Sequence, residues 1–418
     1  MPKPTFLIIS QVYVPDPVSV GQHVADAAEE MARRGYRVVV YSSARGYDDP
    51  SKRYAAQEIR NGVDVRRLPL SSFGKSSIAV RLLAQWLFLL QTIAHGIFTR
   101  GLCGIMVSTS PPFCGIAGVI LSRLRRVPVK YWLMDLNPDQ MIAMKKITAT
   151  SAQARVFDAF NRAILRRASD VVVLDRFMGE RVGRKLDVAS KTQTMPPWPH
   201  EDKLENIPHA ENPFRKEHRL DGKFVVMYSG NHSPANPIRT LLDAAERLQD
   251  NARLAVMCIG GGGGKKEVED KVAQCVKNIR SLPYQPFDRI RFSLSAADVH
   301  VVSIGDDMVG IVHPCKVYGA MAVSRPILLL GPRPCHVSDL IEKHHVGWHV
   351  RHGDVDGAVK VLREMMAAPH AELEEMGRRA ATAIAGSLSK KELMRRFCDV
   401  LQRGLPGPEG AGVATAGL

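Results

Sequence analysis

The run KFVVMYSGNHSPANP, residues 223–237, decides the fold. It opens with an apolar, partly β-branched segment of the kind buried on both faces of a parallel sheet. A small glycine-led loop follows, then a helical pattern. The same layout opens the chain: TFLIIS (residues 5–10), the loop QVYVPDPVSVG, and HVADAAEEMARRGYR, which predicts a helix of about fifteen residues ending near Gly35. One pattern started twice predicts two tandem α/β units.

Working outward, the first unit continues through RVVVYSS, GVDVRRLPL, an apolar stretch at residues 82–98, CGIMVSTS, a helix, PVKYWLMD, a helix and DVVVLD. Strands alternating with helical patterns argue a doubly wound parallel sheet. Residues 196–220 carry five prolines and no apolar period, which predicts a linker. The second unit adds ARLAVMCIGGGGG, LPYQPF, DVHVVSI, KVYGAMA and PILLLG, then two helical stretches. The expected organisation is an N-terminal Rossmann-like domain over 1–200, a second over 201–387, an amphipathic helix over 388–404 and a flexible tail over 405–418.

Composition bounds the function. With 418 residues, 45% hydrophobic and 24% charged, the chain is an ordinary globular protein of two or three domains. Lys+Arg 57 against Asp+Glu 42 gives a net charge of +15, which draws a protein toward nucleic acid, a membrane surface or phosphorylated small molecules. Residues 1–200 hold 28 Lys/Arg and 15 Asp/Glu, or +13, and the remainder 29 and 27, or +2. The two halves therefore do different jobs. The basic stretches carry few interleaved aromatics, so nucleic acid is not an expected partner. Seven cysteines without a CxxC pair suit reduced thiols better than zinc or disulfides. MPKPTFLIIS lacks the layout of a signal peptide, so no leader is expected. Residues 82–98, interrupted by Gln85, Gln91 and His95, leave three readings open: a buried core helix, an interfacial helix, or a membrane span.

Ligands of open α/β sheets bind beyond the carboxyl ends of the strands, so the loops after the strands hold the candidates. Gly21 follows the first strand, where a glycine lets a ligand approach a helix N-terminus; an ordinary turn glycine fits as well. Gly230, Asn231 and His232 occupy the corresponding place in the second unit and offer donors to an anion. The five-glycine run at 260–264 fits neither a phosphate-binding Walker loop nor a GxGxxG register, and reads as a turn near a nucleotide. In GDDMVGIVHPCKVYGAMAVSRPILLLG, residues 305–331, Pro314 suits the first position of a helix, with Lys316 projecting from its first turn. A lysine set against the helix dipole is tolerable when an anion such as a diphosphate lies between them. A solvated surface lysine is the alternative. Asp135, in WLMDLNPD, can orient a hydroxyl, take a proton, or cap the next helix. TSPPF (residues 109–113) follows another strand of the same unit.

At these loops the chain resembles the bacterial family-4 glycosyltransferases, through VSVGQHVADAAEEMARRGYRVVVYSS, TSPP, DLNPD, YSGNH, AADVHVV and HPCKVYGAMAVSRPILLL. It looks closest to the branch that builds O-antigen and capsule from nucleotide-activated amino sugars. The resemblance implies a GT-B fold: two Rossmann-like doubly wound parallel-sheet domains facing a cleft, with the donor in the C-terminal domain and the acceptor in the N-terminal one. It implies retaining transfer, no metal and no cofactor. It makes Asp306, Asp307, His313, Lys316, Tyr318 and Gly319 donor-binding positions beside Gly21, Gly230, Asn231 and His232, with Asp135 at the catalytic position. The family's glutamate pair is absent: Gly319 stands at the second position and Ile311 at the first. The Arg and Lys of the family's second-unit phosphate loop are also missing, so Lys316 is left to meet the diphosphate charge, and Asp306 or Asp307 the sugar.

The function expected is transfer of an N-acetylated amino sugar from a UDP-linked donor to a lipid-linked or oligosaccharide acceptor. The enzyme would be cytoplasmic and peripheral, with its basic half on an anionic membrane surface. Two alternatives are a sugar-nucleotide epimerase on the same fold and a non-catalytic nucleotide-sugar-binding protein.

Overall fold

Five consecutive buried residues, Thr5–Ile9, form strand β1 of the computed structural model, which describes residues 3–16, 18–47, 49–71, 78–199 and 206–408. The chain divides into two units. The first comprises residues up to Pro197 together with the chain from Leu393 onward, and the second is Trp198–Glu392.

The first unit adds β2 (Arg37–Ser43), β3 (Gln57–Arg60), β4 (Val63–Leu68), β5 (Leu102–Ser108), β6 (Val129–Trp132), β7 (Asp170–Val173) and β8 (Thr192–Thr194). They form one sheet in the order β3-β4-β2-β1-β5-β6-β7-β8, parallel except for the edge pair β3/β4. The second unit holds β9 (Phe224–Ser229), β10 (Leu254–Ile259), β11 (Ile279–Leu282), β12 (Val299–Ser303), β13 (Ile327–Leu330) and β14 (Gly347–Val350). All its pairings are parallel, in the order β11-β10-β9-β12-β13-β14. Both sheets are doubly wound, as the alternation of strands and helices predicts. Their central strands are apolar on both faces because helices cover both sides. On one side of the second sheet, Val226, Val256, Val301 and Leu328 pack against Leu241, Leu242, Leu362 and Met365. On the other, Val225, Met227 and Met257 pack against Phe214 and Leu220. The winding reverses between β1 and β5 in one unit and between β9 and β12 in the other. Those reversals are where such folds place ligands.

Three local expectations are corrected. The segment expected as a linker is, from Trp198, part of the second unit. Asn212 caps the short helix Pro213–Glu217 by accepting from the Phe214 and Arg215 N–H groups. Phe214 is fully buried, and the Arg215 guanidinium donates to the carbonyls of Ala296, Leu220 and Lys223. Five prolines hid a segment anchored by two side chains. The first helix runs Ser19–Arg33, four residues ahead of its expected start, so Gly21 lies inside its first turn. Pro314 is not the first residue of a helix; the helix runs Lys316–Ala322 with Cys315 at its N-cap.

The last helix, Lys390–Gln402, serves the first unit from Leu393 on. Phe397 is buried against Trp132, ring centroids 4.3 Å apart. Lys130, buried on β6, donates to Asp170 at 2.5 Å and to the Arg403 carbonyl at 2.6 Å. Arg34 pairs with Asp399 at 2.7 Å. Residues 405 and 406, expected within a flexible tail, are held in place: the Tyr36 hydroxyl donates to the Pro406 carbonyl at 3.1 Å, and Leu405 lies against Gly104. Residues 409–418 of that tail lie outside the described residues. All seven cysteines are free thiols, five of them buried. No helix among the described residues is long and apolar enough to cross a membrane.

Because the first unit is closed by a segment that returns from the end of the chain, Phe397→Ala should destabilise it by about 3–5 kcal/mol. Chemical denaturation followed by tryptophan fluorescence checks this, since Trp132 reports the contact directly; an unchanged midpoint would contradict it.

Candidate functional site

The loops that follow β9 and β12 leave neighbouring strand ends at the reversal of the second sheet. They are tied together where the Gly305 N–H donates to the Ala235 carbonyl at 2.8 Å. Between them the sequence-predicted residues Gly230, Asn231, His232 and Lys316 come into direct contact.

Lys316 reaches back from the start of its helix to β9. Its ammonium donates to the Tyr228 hydroxyl, donates to the Asn231 carbonyl at 3.0 Å, and sits 3.8 Å from the Tyr228 ring centroid. Tyr228 in turn donates to the same Asn231 carbonyl at 2.7 Å. An ammonium carries three donors, so one remains for a ligand. Burial pulls Lys316 down to about 7, against a smaller opposing effect of the Cys315 sulfur. Gly230 makes this approach possible. Its φ is +134°, and a Cβ there would fall 2.4 Å from Lys316 Cε.

His232 lies beside this lysine, 2% exposed; among the described residues neither ring nitrogen completes a hydrogen bond, although the Ile259 backbone lies near enough to favour its protonated form slightly. Its ring meets Tyr228 edge-on at 4.8 Å. Burial, and then the charge of Lys316, push the imidazole down to about 4, so it is neutral at pH 7 and offers one donor and one acceptor. A buried imidazole in this state keeps a donor and an acceptor to offer. Its backbone is held by the glycine run: His232 N–H donates to Gly261 O at 2.8 Å, and Gly264 N–H to His232 O at 2.9 Å. A Cβ at Gly262 would fall 2.2 Å from Asn231 Oδ1, so glycine there lets the two loops interlock. Lys265 ties the glycine run to Leu282, its ammonium donating to the Gly260 and Leu282 carbonyls at 2.6 and 2.8 Å, and its charge adds a smaller push against protonation of His232.

A second cluster stands in the same unit. The Tyr318 hydroxyl lies 2.8 Å from His313 Nε2 and 2.9 Å from His336 Nε2, bridging two imidazoles whose ring centroids are 4.1 Å apart. His336 opens the helix His336–His344 and was not singled out from sequence. Its contact crosses eighteen residues, which no local pattern encodes. Tyr228 was missed as well; its signal was a tyrosine just before Ser-Gly at the end of an apolar strand. Asp306 and Asp307 stand exposed on the one-turn 3-10 helix Asp306–Met308. Ile311 is core, and a Cβ at Gly319 would make an ordinary contact with Leu294 at 3.6 Å. The helix after Gly230–His232 begins only at Arg239, so those three residues do not sit at a helix N-terminus as expected.

In the first unit the Gly21 N–H donates to Val18 O at 2.9 Å, which removes it as a ligand donor. Its glycine identity answers a close backbone approach, with Tyr13 N 3.2 Å from a hypothetical Cβ. Asp135 follows β6 and caps no helix, since Pro138 precedes the helix Asp139–Ala143 without a side-chain cap. Thr109 of the TSPP loop accepts from the Met134 and Asp135 N–H groups, each at 3.2 Å, joining the two loops. Burial alone raises the Asp135 carboxyl to about 6. Such a group can hold a hydroxyl or take a proton near neutral pH.

Residues 19–198 match the Glycosyl transferase 4-like domain, and residues 210–383 match Glycosyl transferases group 1. The chain is 22% identical over 401 residues to WcaI of Escherichia coli K12, named as a colanic acid biosynthesis glycosyl transferase, covering 92% of this chain and 96% of WcaI. It is 25% identical over 236 residues to WbjE of Pseudomonas aeruginosa, also named as a glycosyltransferase. That match spans 55% of this chain and 58% of WbjE, little more than half of either. The crystal structure of Anabaena HepE in complex with UDP and glucose resembles the fold with a TM-score of 0.71 at 14% identity, over 95% of this chain and 99% of HepE.

The Lys316 pocket makes its own prediction. Gly230→Ala should drive the lysine chain out of its place, at about 1–3 kcal/mol of stability. The midpoint for amine acylation of Lys316, read by peptide mass spectrometry across pH, should then rise from near 7 toward the ordinary lysine value. An unmoved midpoint would contradict the assigned contact.

Proposed function

This chain belongs to the glycosyltransferases built from a 4-like and a group 1 domain on the GT-B fold, and from that premise we propose that it moves a sugar from a UDP-linked donor to a lipid-linked or saccharide acceptor in cell-surface polysaccharide synthesis. The observation that carries the donor side is the Lys316 ammonium with one donor to spare beside the His232 imidazole, which completes no hydrogen bond among the described residues, at the winding reversal of the second unit. Two phosphates there would take the free donor of Lys316 and a ring N–H of His232. The UDP of the HepE complex supports a uridine nucleotide. The name of WcaI, a colanic acid biosynthesis glycosyl transferase, supports a polysaccharide pathway.

The sugar is an N-acetylated amino sugar and transfer proceeds with retention. The acceptor hydroxyl oxygen forms the new bond to the anomeric carbon as the bond from that carbon to the β-phosphate oxygen breaks. The hydroxyl proton passes to the departing phosphate, so no carboxylate nucleophile is needed. Charge grows on the phosphate oxygens as the bond breaks, and Lys316 stabilises it. Tyr318, His313 and His336 orient the donor, with the exposed Asp306 and Asp307 on the sugar. In the first unit Asp135 accepts a hydrogen bond from the acceptor hydroxyl and aims it. The enzyme works in the cytoplasm, peripheral at the inner face of the membrane.

Three measurements test the reading. Incubation with UDP-sugars and lipid-linked acceptors should give product whose anomeric configuration matches the donor's. Consumption of donor without acceptor, giving an epimer, would replace transfer by epimerisation. Lys316→Ala should weaken UDP binding about ten- to a hundredfold by calorimetry. Because the lysine titrates near 7 when free and an anion favours its charged form, wild-type affinity should fall as pH rises from 7 to 9, with proton uptake on binding. The Ala variant should lose both effects. Asp135→Asn should lower kcat while leaving UDP affinity unchanged, and wild-type turnover should fall as pH drops through about 6 and the carboxyl protonates.

A further inference from the structure

The helix Ile78–Ile97 buries one face and leaves the other bare. Inward, Ala84, Phe88, Leu89 and Thr92 are covered, and Gly96 lets the helix press so closely on Leu121 of the helix Cys114–Arg125 that a Cβ would fall 2.5 Å from it. Outward, Leu83, Trp86, Leu90 and Ile97 recur at the spacing of a single helix face, with Phe98 just beyond. Leu90 is 60% exposed and Phe98 81%. A surface helix normally turns polar residues to water on this face. Here an apolar stripe about 22 Å long faces solvent.

The neighbouring charges say what covers it. Between residues 65 and 134 there are nine Lys/Arg and no Asp or Glu. The Arg125 guanidinium donates to the Ile97 carbonyl, which brings the end of the helix Cys114–Arg125 to the end of the stripe. At that junction Leu124 is 59% exposed, and Arg100, Arg123 and Arg126 are exposed beside it. Apolar side chains with guanidiniums gathered at one end match the boundary between acyl chains and anionic headgroups. A second copy of the chain would bring a second set of these arginines to the same contact without an acid to meet them, whereas anionic headgroups supply the missing charge.

We propose that this stripe, from Leu83 to Phe98 with Leu124 at its end, lies in the plane of an anionic lipid bilayer, with its arginines on the headgroups. The helix rests in the interface and does not cross. The inference deepens the peripheral location proposed above and rests on it, but it does not depend on the donor or the reaction.

The test is flotation of the full chain with vesicles of phosphatidylcholine alone or with about 30 mol% phosphatidylglycerol, at low salt and at about 1 M salt. Wild type should float with the anionic vesicles at least tenfold better than with neutral ones, and Trp86 emission should shift to the blue, a shift that Trp86→Phe removes. The double variant Leu90→Ser, Phe98→Ser exposes no new core, so its thermal midpoint and UDP affinity should be unchanged while vesicle binding falls at least tenfold. Arg123→Gln with Arg126→Gln should erase the preference for anionic lipid. Unchanged flotation of the serine variant overturns the proposal, as does a concentration-dependent dimer that the serine variant abolishes, which would assign the stripe to a second copy. Flotation that persists in a protein unable to bind UDP would sink the transferase reading and leave the docking face standing.

Discussion

Strands buried on both faces can be joined in parallel only by crossovers that cover those faces, and this constraint shapes everything else in the molecule. In the second unit the winding leaves β9 in two directions, through β10 to β11 on one side and through β12 to β14 on the other. The chain therefore departs from two adjacent strand ends toward opposite faces of the sheet. The gap left there collects Tyr228, the loop at 230–232 and Lys316, which lie eighty-eight residues apart along the chain at their extremes. Glycine at 230 and 262 is what the crowding requires, since a methyl at either would strike a neighbour.

Electrostatics in that gap run against expectation for a phosphate site. Among the described residues, the cation that reaches the loop at 230–232 is the buried Lys316 and not an exposed cluster. One lysine is buried far enough for its charge to be marginal at pH 7, and one histidine is kept neutral beside it. A site of this kind exerts little long-range attraction. It gains charge when an anion arrives to hold the proton, so recognition and ionisation are coupled. The net charge of the chain does a different job in a different place. The first 200 residues carry +13, and the stretch with no acid at all coincides with the bare face of an apolar helix.

The first unit is also finished by a distant segment. Phe397 and the carbonyl of Arg403 close over Trp132 and Lys130, so β6, which leads to Asp135, is backed by residues from the far end of the chain. A buried ammonium such as Lys130 is tolerable only because Asp170 and that carbonyl both receive it. The position of Asp135 thus depends on packing that no local reading of WLMDLNPD contains.

Runs rich in apolar residues marked most central strands in the sequence, β4 (VDVRRL) being the most polar of them, and their alternation with helices determined the fold class. The four strands it did not mark, QEIR, TQT, IRSL and GWHV, are the four sheet edges, where one side of the strand is open and the apolar run is not needed. Gly230, Lys316 and Asp135 stood out as candidates because ligands of such folds bind at the loops after strands, whereas Gly21 proved to lie inside a helix. The partners of those residues did not stand out: Tyr228 under the lysine, His336 behind Tyr318, Arg215 and Phe214 within a proline-rich stretch, and Phe397 on Trp132. Each is set by contacts across many residues, which depend on the path of the whole chain. By itself the sequence determined which segments must be buried and where the charge lies, because burial and charge belong to residue types. Only the tertiary structure decided which groups meet, which protons they hold, and which apolar face is left uncovered, because those follow from distance and desolvation.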